Sequence, residues 1–262
     1  MSSKPVNLGD YIAQRRTSRQ LLLMTHVIVG YPSLEANWRM LEIMADADVD
    51  LVELQMPFSE PVADGPTFVR ANQNALQKGL KVAQYLELMK RSTSTFSFPH
   101  LWMGYYNTVY KMGHERFCSA LTENGATGYI LPDLPFEDYG DLFELSRRNS
   151  LSPIMLMTPT NTDERLRALG ENASGFVYAV ARKGVTGKKT ALAEDLFGFM
   201  ERCRRATELP LALGFGLRTG QDLSNLHGVA EIAIVGSVLL DAWETGGESA
   251  YRDLVNELSE HR

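Results

Sequence analysis

Two acidic residues stand out because they lie where carboxyl groups could exchange protons with a substrate. Glu53 lies in the apolar run 50–54, and Asp64 follows eleven residues later, directly before Gly65. A Glu that faces a pocket from such a run is partly desolvated, which suits it to proton transfer near neutral pH. Two carboxyl groups in different environments can act separately as acid and base. The alternatives are a Glu53 that pairs with Lys or Arg at a strand end and an Asp64 that only forms a turn.

A second candidate segment is rich in glycine and lysine. It spans residues 181–192, contains Gly184, Gly187, Lys188 and Lys189, and is preceded by Tyr178. This composition suits a mobile lid that closes over an anion, and it is equally compatible with a solvated surface loop. The segment is therefore a candidate part of a binding site.

Two short glycine motifs occur late in the chain, and both follow apolar runs. They are Gly214-Phe215-Gly216 and Gly236-Ser237. Glycines let backbone N–H groups approach a phosphate, and a helix that begins at Ser237 would direct its positive end toward it. Backbone amides would also let an acidic protein hold an anion. We predict a phosphate site there.

Composition excludes several other classes of site. The five histidines are scattered, without the spacing of a metal motif, and the only two cysteines are Cys118 and Cys203, so we predict no metal and no disulfide scaffold. The chain has 26 Lys and Arg against 32 Asp and Glu, a net charge of −6, and no basic block, so it is not expected to bind nucleic acid. There is no run of about 18 apolar residues. We expect no membrane association and a cytoplasmic location.

The elements that must position these residues follow a repeating pattern. Short apolar runs alternate with longer segments of helical period, which predicts β-strands followed by α-helices. The predicted strands are residues 21–28, 49–54, 100–104, 128–131, 153–157, 175–180, 209–214 and 231–235. The predicted helices between and after them are residues 33–47, 82–92, 114–123, 136–149, 163–169, 193–207 and 250–260.

Eight units in 262 residues give about 33 residues each, close to the roughly 30 that a βαβ unit needs. The chain is thus predicted to be an α/β protein, a single (β/α)8 TIM barrel domain spanning residues 1–262. An extra N-terminal helix over residues 7–16 is expected to close the bottom of the barrel. The two long loops, 55–66 and 181–192, follow the second and sixth strands, at the end where such barrels carry their active sites.

Several of these segments resemble one known family, the α subunit of tryptophan synthase. The resemblance runs from about residue 21 to residue 240. Its most specific carriers, in chain order, are Pro57-Phe58-Ser59 with Ala63-Asp64-Gly65-Pro66, Phe176-Val177-Tyr178 with Gly184-Val185-Thr186-Gly187, and Gly214-Phe215-Gly216 with Val235-Gly236-Ser237.

This resemblance implies a lyase that cleaves indole-3-glycerol phosphate to indole and glyceraldehyde 3-phosphate in tryptophan biosynthesis. Glu53 matches the family's general acid and base, and Asp64 its second catalytic acid. The residues that match substrate-binding positions are Tyr178 beside the indole, Thr186 in the lid, and Gly187, Gly216, Gly236 and Ser237 at the phosphate. No cofactor is implied for this chain. Pyridoxal phosphate is implied only for a partner β subunit, with which the family forms an α2β2 heterotetramer.

Three residues depart from the family pattern. Gln55 stands where members usually carry Gly, Glu60 where they carry Asp, and His26 where we expect an apolar or aromatic residue facing the indole. His26 and Tyr105 are our further candidates for substrate contact, although Tyr105 could instead pack the barrel rim. The departures concern the pocket wall and the surface that would meet the β subunit.

Two other functions fit parts of the pattern. A different phosphate-binding barrel, such as an isomerase of phosphorylated sugars, would use the late glycine motifs but has no use for segment 57–66. A ligand-binding subunit that regulates a partner would keep the same residues with weak catalysis of its own. Indole release from indole-3-glycerol phosphate distinguishes the first, and assays with and without a β subunit distinguish the second.

Overall fold

The computed structural model describes residues 7–180, 189–214 and 216–262. Eight parallel strands form a closed barrel in which each strand pairs with the next and the last pairs with the first. The strands are β1 (Leu22–Ile28), β2 (Leu51–Gln55), β3 (His100–Met103), β4 (Gly128–Ile130), β5 (Ser152–Met157), β6 (Val177–Ala179), β7 (Leu211–Gly214) and β8 (Ile232–Val235). This confirms the predicted (β/α)8 barrel, and each predicted strand ends within two residues of an observed one.

The helices form the outer layer of the barrel. They are α1 (Leu8–Arg16), α2 (Leu34–Asp46), α3 (Pro66–Gln77), α4 (Val82–Thr95), α5 (Tyr106–Met112), α6 (His114–Glu123), α7 (Leu142–Arg148), α8 (Asp163–Asn172), α9 (Lys189–Ala206), α10 (Gly220–Ser224) and α11 (Ser237–Glu260). Helices α3, α5 and α10 were not predicted. The buried residues of α3 are Ala71, Asn72 and Ala75, which are small or polar and so give a weaker signal in the sequence than a stripe of large apolar residues does.

Three predicted boundaries are wrong. Helix α9 already begins at Lys189, so residues 189–192 do not belong to the predicted loop 181–192. The segment 136–149 is a single 3-10 turn, Phe136–Asp138, followed by α7, with Gly140 at φ +55° between them. Helix α11 extends from Ser237 and is interrupted at Gly247, where φ is +64°, so the predicted helix 250–260 is only its second part.

The N-terminal helix closes one end of the barrel, as predicted. Asn7 caps it by accepting a hydrogen bond from the backbone N–H of Asp10 at 3.1 Å. Leu8 and Ile12 are buried with Leu22, Leu51, Phe176 and other inward residues of the strands in one apolar cluster. Burial of this face ties α1 to the amino-terminal ends of the strands and leaves the opposite end of the barrel open for a site.

Candidate active site

The period of a β-strand determines which side chains reach the open end of the barrel. Alternate residues point inward, so the buried inner residues Leu51, Met24 and Phe176 are followed two positions later by Glu53, His26 and Tyr178. Within the sheet, His26 on β1 lies directly beside Glu53 on β2. The fold thus places a carboxyl, an imidazole and a phenol in the uppermost inward layer of side chains.

A cavity of about 470 Å³ lies above this layer. It brings together most of the predicted site residues: His26, Glu53, Asp64, Tyr178, Gly216, Gly236 and Ser237 all line it. Apolar side chains complete its wall, among them Met103, Ile130, Leu156 and Ile234. The wall therefore combines a flat apolar region with a few polar groups, as small-molecule sites typically do.

Glu53 presents two different oxygens. The residue is 2% exposed, and its Oε1 lies 2.6 Å from Nδ1 of His26. Its Oε2 is buried and has no hydrogen-bond partner among the described residues. An unpaired buried carboxyl oxygen is costly unless a ligand supplies a partner. Oε2 is thus the oxygen of Glu53 that no described group holds.

Asp64 lies in the loop after β2 and is held through its Oδ2 atom. Gln55 donates to Oδ2 at 2.6 Å and Asn72 at 3.1 Å. The pKa of Asp64 is raised, mainly by burial and further by the nearby Glu53, and the bonds from Gln55 and Asn72 and the imidazole of His26 oppose this only in part. These donors favour the carboxylate in a half-buried position.

The sequence did not identify Asn72 as a functional residue, yet it organises the whole loop. Its side chain is fully buried. Besides Asp64, it accepts a hydrogen bond from the backbone of Phe58 at 3.0 Å and donates to the carbonyl of Phe68 at 2.8 Å. The signal that could have revealed it is a polar residue between Ala71 and Ala75 on the buried face of a helix.

Tyr105 lies behind the loop rather than in the cavity wall. Its ring is buried and stacks on Phe58 at 4.9 Å between centroids. Its hydroxyl accepts a hydrogen bond from the backbone N–H of Ala63 at 3.1 Å. Tyr105 therefore supports the position of the neighbouring Asp64, which is the packing alternative considered above for this residue.

Tyr178 lines the cavity from β6 and meets the backbone of β7. A Cβ atom at Gly214 would come within 2.5 Å of the Tyr178 hydroxyl, so glycine is required there for the ring to fit. Burial raises the pKa of Tyr178 well above its ordinary value, and Glu53 and Asp64 raise it further. The phenol is therefore neutral and can act only as a hydrogen-bonding and packing group.

The late glycine motifs reach the cavity at the start of α11. Gly236 caps this helix and Ser237 is its first residue. A Cβ atom at Gly236 would come within 2.7 Å of the Phe68 ring, which explains the glycine. No Lys or Arg is found among the described residues that line the cavity. The predicted lid and phosphate residues Thr186 and Gly187 lie outside the described residues.

The described ranges contain neither a candidate metal site nor a membrane-spanning helix. Within residues 7–180, 189–214 and 216–262, no group of three or more His, Cys, Asp or Glu side chains is arranged to hold a metal ion. In the same part of the chain, no helix has the length and apolar character needed to span a bilayer. The cavity is thus the candidate functional site of the described residues.

Comparison with known proteins identifies similar chains. A family model described as tryptophan synthase alpha chain matches residues 12–261. Proteins of that name from Desulforapulum autotrophicum and Desulfotalea psychrophila are 42% and 41% identical to this chain. The two alignments cover 96% and 97% of this chain, respectively, and the full length of each relative.

Solved structures agree with the sequence comparison. A chain of tryptophan synthase from Mycobacterium tuberculosis matches with a TM-score of 0.90 at 29% identity, and 98% of each chain is covered. A chain of the tryptophan synthase complex from Pyrococcus furiosus matches with a TM-score of 0.82 at 28% identity, over 90% of this chain and 97% of that one. Sequence and fold are therefore similar to the same group of proteins.

Proposed function

Because the chain belongs to the family of tryptophan synthase alpha chains, we propose that Glu53 and Asp64 catalyse the reaction of that family. The reaction is the cleavage of indole-3-glycerol phosphate to indole and glyceraldehyde 3-phosphate in tryptophan biosynthesis. One observation carries the choice of residues: Glu53 with an unpaired Oε2 and Asp64 with a held carboxylate line the same cavity. A sugar-phosphate isomerase would leave Asp64 and its loop without a role.

The first step is the protonation of the indole ring. Indole is a poor leaving group from carbon until its C3 atom carries a proton, and Glu53 supplies that proton from Oε2. Positive charge then develops at the ring nitrogen. Asp64, as a carboxylate, accepts the hydrogen bond from the ring N–H and stabilises this charge.

Cleavage follows as a retro-aldol step. The Glu53 carboxylate takes the proton of the hydroxyl on the carbon bonded to C3, and that O–H electron pair forms the C=O bond of the aldehyde. The electrons of the broken C–C bond return to the ring and neutralise it. Glu53 ends the cycle protonated, as it began, so protons and charge balance.

Substrate binding is divided between apolar wall and backbone. We assign the indole to the surface made by Met103, Ile130, Leu156 and Tyr178. The phosphate is assigned to Gly216, Gly236 and Ser237, where the start of α11 offers N–H groups, with Thr186 and Gly187 completing the site. Because proton transfers to and from Glu53 are sufficient to drive the C–C cleavage, the proposed reaction needs no cofactor. Pyridoxal phosphate would belong only to the partner.

The partner that we propose is a tryptophan synthase β subunit, in an α2β2 heterotetramer. The family name and the complex from Pyrococcus furiosus support this proposal. The docking surface would comprise residues 57–60, 107–109 and 133–135, all of which follow strands at the open end of the barrel. We further propose that residues 1–262 form one domain and that the enzyme is cytoplasmic.

Replacement of Glu53 tests the proposed function directly. Glu53→Gln keeps the shape of the side chain and removes its titrating proton, so indole release should fall by about 10²–10⁴ while substrate binding remains. Turnover is measured as indole formed from indole-3-glycerol phosphate, and binding by calorimetry. Glu164→Gln, at the exposed start of α8, is the control and should retain normal turnover. A Glu53→Gln variant with near wild-type turnover would refute the assignment.

A further inference from the structure

Two side chains connect the two proposed catalytic carboxyl groups through a series of hydrogen bonds. Oε1 of Glu53 lies 2.6 Å from Nδ1 of His26. On the other side of the ring, Nε2 lies 2.7 Å from Oε1 of Gln55. Gln55 in turn donates from Nε2 to Oδ2 of Asp64 at 2.6 Å. Glu53 and Asp64 are thus linked through His26 and Gln55, without a gap.

The donors and acceptors determine where the protons lie. An Asp64 carboxylate only accepts, so the amide nitrogen of Gln55 faces it and the amide oxygen faces His26. Nε2 of His26 must then carry a hydrogen. In the proposed reaction Glu53 exchanges its proton at Oε2, so Oε1 can only accept, and Nδ1 at 2.6 Å must carry a hydrogen as well. Both ring nitrogens therefore act as donors, which describes an imidazolium.

The surroundings of His26 support this state. Burial lowers its pKa, but the Glu53 carboxylate, and then Asp64 and the bond to Gln55, outweigh burial, and the pKa of His26 is raised. The titratable groups that face the ring are Glu53 on β2, Asp64 in the loop and Tyr178 on β6, of which Tyr178 is neutral. The described cavity wall contributes no Lys or Arg.

The two linking residues are also rigidly placed. His26 is on β1 and Gln55 ends β2, and both side chains are buried. The imidazole stacks on Phe68 of α3, with ring centroids 4.4 Å apart and planes 21° from parallel. Side chains locked by packing and held on strands can keep a reacting group oriented more accurately than a loop can.

We infer that His26 and Gln55 are positioning residues of the lyase reaction, an inference that rests on the proposed function. His26 donates to Oε1 of Glu53 and so leaves Oε2 to exchange protons with the substrate. When Oε2 gives its proton to C3, the imidazolium stabilises the carboxylate that forms. When Oε2 takes the hydroxyl proton, the same bond persists and the Nδ1 proton is not consumed. Gln55 keeps the Asp64 carboxylate directed at the ring nitrogen of the indole.

Kinetics of two shape-preserving variants test the inference. His26→Phe keeps a ring against Phe68 and removes both nitrogens, and Gln55→Met keeps the length and removes both polar atoms. Each should lower kcat about tenfold or more and leave KM within about threefold, because the lost contacts orient groups that act in the transition state. His26→Asn, whose amide nitrogen can occupy the Nδ1 position, should recover part of the loss.

A double variant tests whether the hydrogen bonds from Glu53 through His26 and Gln55 to Asp64 work as a unit. If it does, the loss in His26→Phe/Gln55→Met falls short of the product of the two single losses. Fully multiplicative losses, or a wild-type kcat in either single variant, would overturn the inference.

The protonation of His26 provides a readout that a purely structural role would not produce. In the ¹⁵N-histidine-labelled full chain, the His26 signals are identified by their loss in His26→Phe. We expect both ring nitrogens to be protonated near neutral pH, and the hydrogen at Nε2 to remain when the ring becomes neutral. A neutral ring protonated only at Nδ1 could not donate from Nε2 to Gln55, and it would contradict the inferred donor directions.

His100 is the matched control. It is buried on β3 and hydrogen-bonded to Ser92, but it does not line the cavity. Burial lowers its pKa to about 3. His100→Phe should keep kcat, whatever its effect on stability. If Glu53→Gln keeps full turnover, the proposed function fails; if Glu53→Gln is inactive but His26→Phe has normal kcat, only the positioning inference fails.

Discussion

Glu53 and Asp64 are both carboxyl groups in one cavity, but their hydrogen bonds assign them different roles. Glu53 keeps one buried oxygen without a partner among the described residues, which suits a group that must gain and lose a proton. Asp64 accepts two hydrogen bonds at a single oxygen, and these donors favour its carboxylate against the burial that raises its pKa. A shared cavity with two environments is the arrangement that lets one acid react while the other stabilises charge.

At the scale of one residue, we predict that the charge of Asp64 is essential and that its shape alone is not sufficient. Asp64→Asn retains the size of the side chain but cannot stabilise a positive ring nitrogen, so kcat should fall by about 10²-fold, the usual loss on removal of one electrostatic stabiliser. Indole release under substrate saturation measures it. Asp163→Asn, an exposed acid at the start of α8, should be unaffected. Equal kcat in the two variants would contradict the role of Asp64.

A second residue-scale prediction concerns pH. Because the folded pKa of His26 is raised above its ordinary 6.5, the folded state binds this proton more tightly than the unfolded state does. The resulting stability is fully present below pH 6.5 and is lost as the pH rises through the raised value. As the pH rises above 6.5, the wild type should therefore lose more free energy of unfolding than His26→Phe. Urea denaturation at several pH values measures this difference, and parallel curves would disprove it.

At the scale of elements, strands β7 and β8 determine where Gly216 and the start of α11 lie. Strands β7 and β8 deliver Gly216, Gly236 and Ser237 to the cavity wall. Because no Lys or Arg is found in the described part of that wall, N–H groups and the helix end are the positive groups that this part offers to the proposed phosphate. Short-range interactions of this kind are less sensitive to salt than attraction between exposed charges.

This arrangement predicts the salt dependence of phosphate binding. Inhibition of indole release by glycerol 3-phosphate should weaken by less than about threefold when salt rises from about 0.05 M to about 0.5 M. Lys188→Ala and Lys189→Ala serve as comparisons, since these lysines are the obvious alternative ligands in the sequence. If the inhibition constant rose steeply with salt and either lysine variant abolished inhibition, the phosphate would be held by side-chain charge instead.

At the scale of the whole molecule, the open end of the barrel carries both the cavity and exposed apolar side chains. Val62 in the loop after β2 is 82% exposed, and Tyr110 on α5 after β3 is 70% exposed. Large apolar side chains exposed beside a functional site are typical of interaction surfaces. They adjoin the proposed docking residues 57–60 and 107–109, so a bound β subunit would contact the same loop that holds Asp64.

The proposed complex should therefore activate this chain. A partner that binds more tightly when the loops are closed shifts the population toward that state, and we expect indole release to rise by about 5–150-fold when the cognate β subunit is titrated in. Tyr110→Asp should weaken complex formation measured by calorimetry. Phe197→Asp, which replaces a 49% exposed side chain on α9, should not. Unchanged activity with a proven complex would refute the coupling.

Residue patterns local in the chain predicted much of this protein. The alternation of apolar runs with helical segments predicted all eight strands, because burial on both faces requires continuous apolar runs. The spacing of Glu53 and Asp64 across one long loop and the late glycine motifs predicted residues that do line one cavity; their catalytic and phosphate-binding roles stay predictions. These features depend on residues near each other in sequence, so the sequence alone was sufficient to predict them.

The tertiary structure decided which side chains meet. The register of β1 against β2 sets His26 beside Glu53, and the packing of α3 on the loop brings Asn72 to Asp64. Tyr105 was considered a substrate contact or a packing residue, and only the fold places it behind the loop on Phe58. Such contacts join residues far apart in the chain, and a one-residue change in strand register would turn every side chain to the opposite face. The carboxyl groups could be found from the sequence, whereas the hydrogen bonds that connect them depend on the closed barrel.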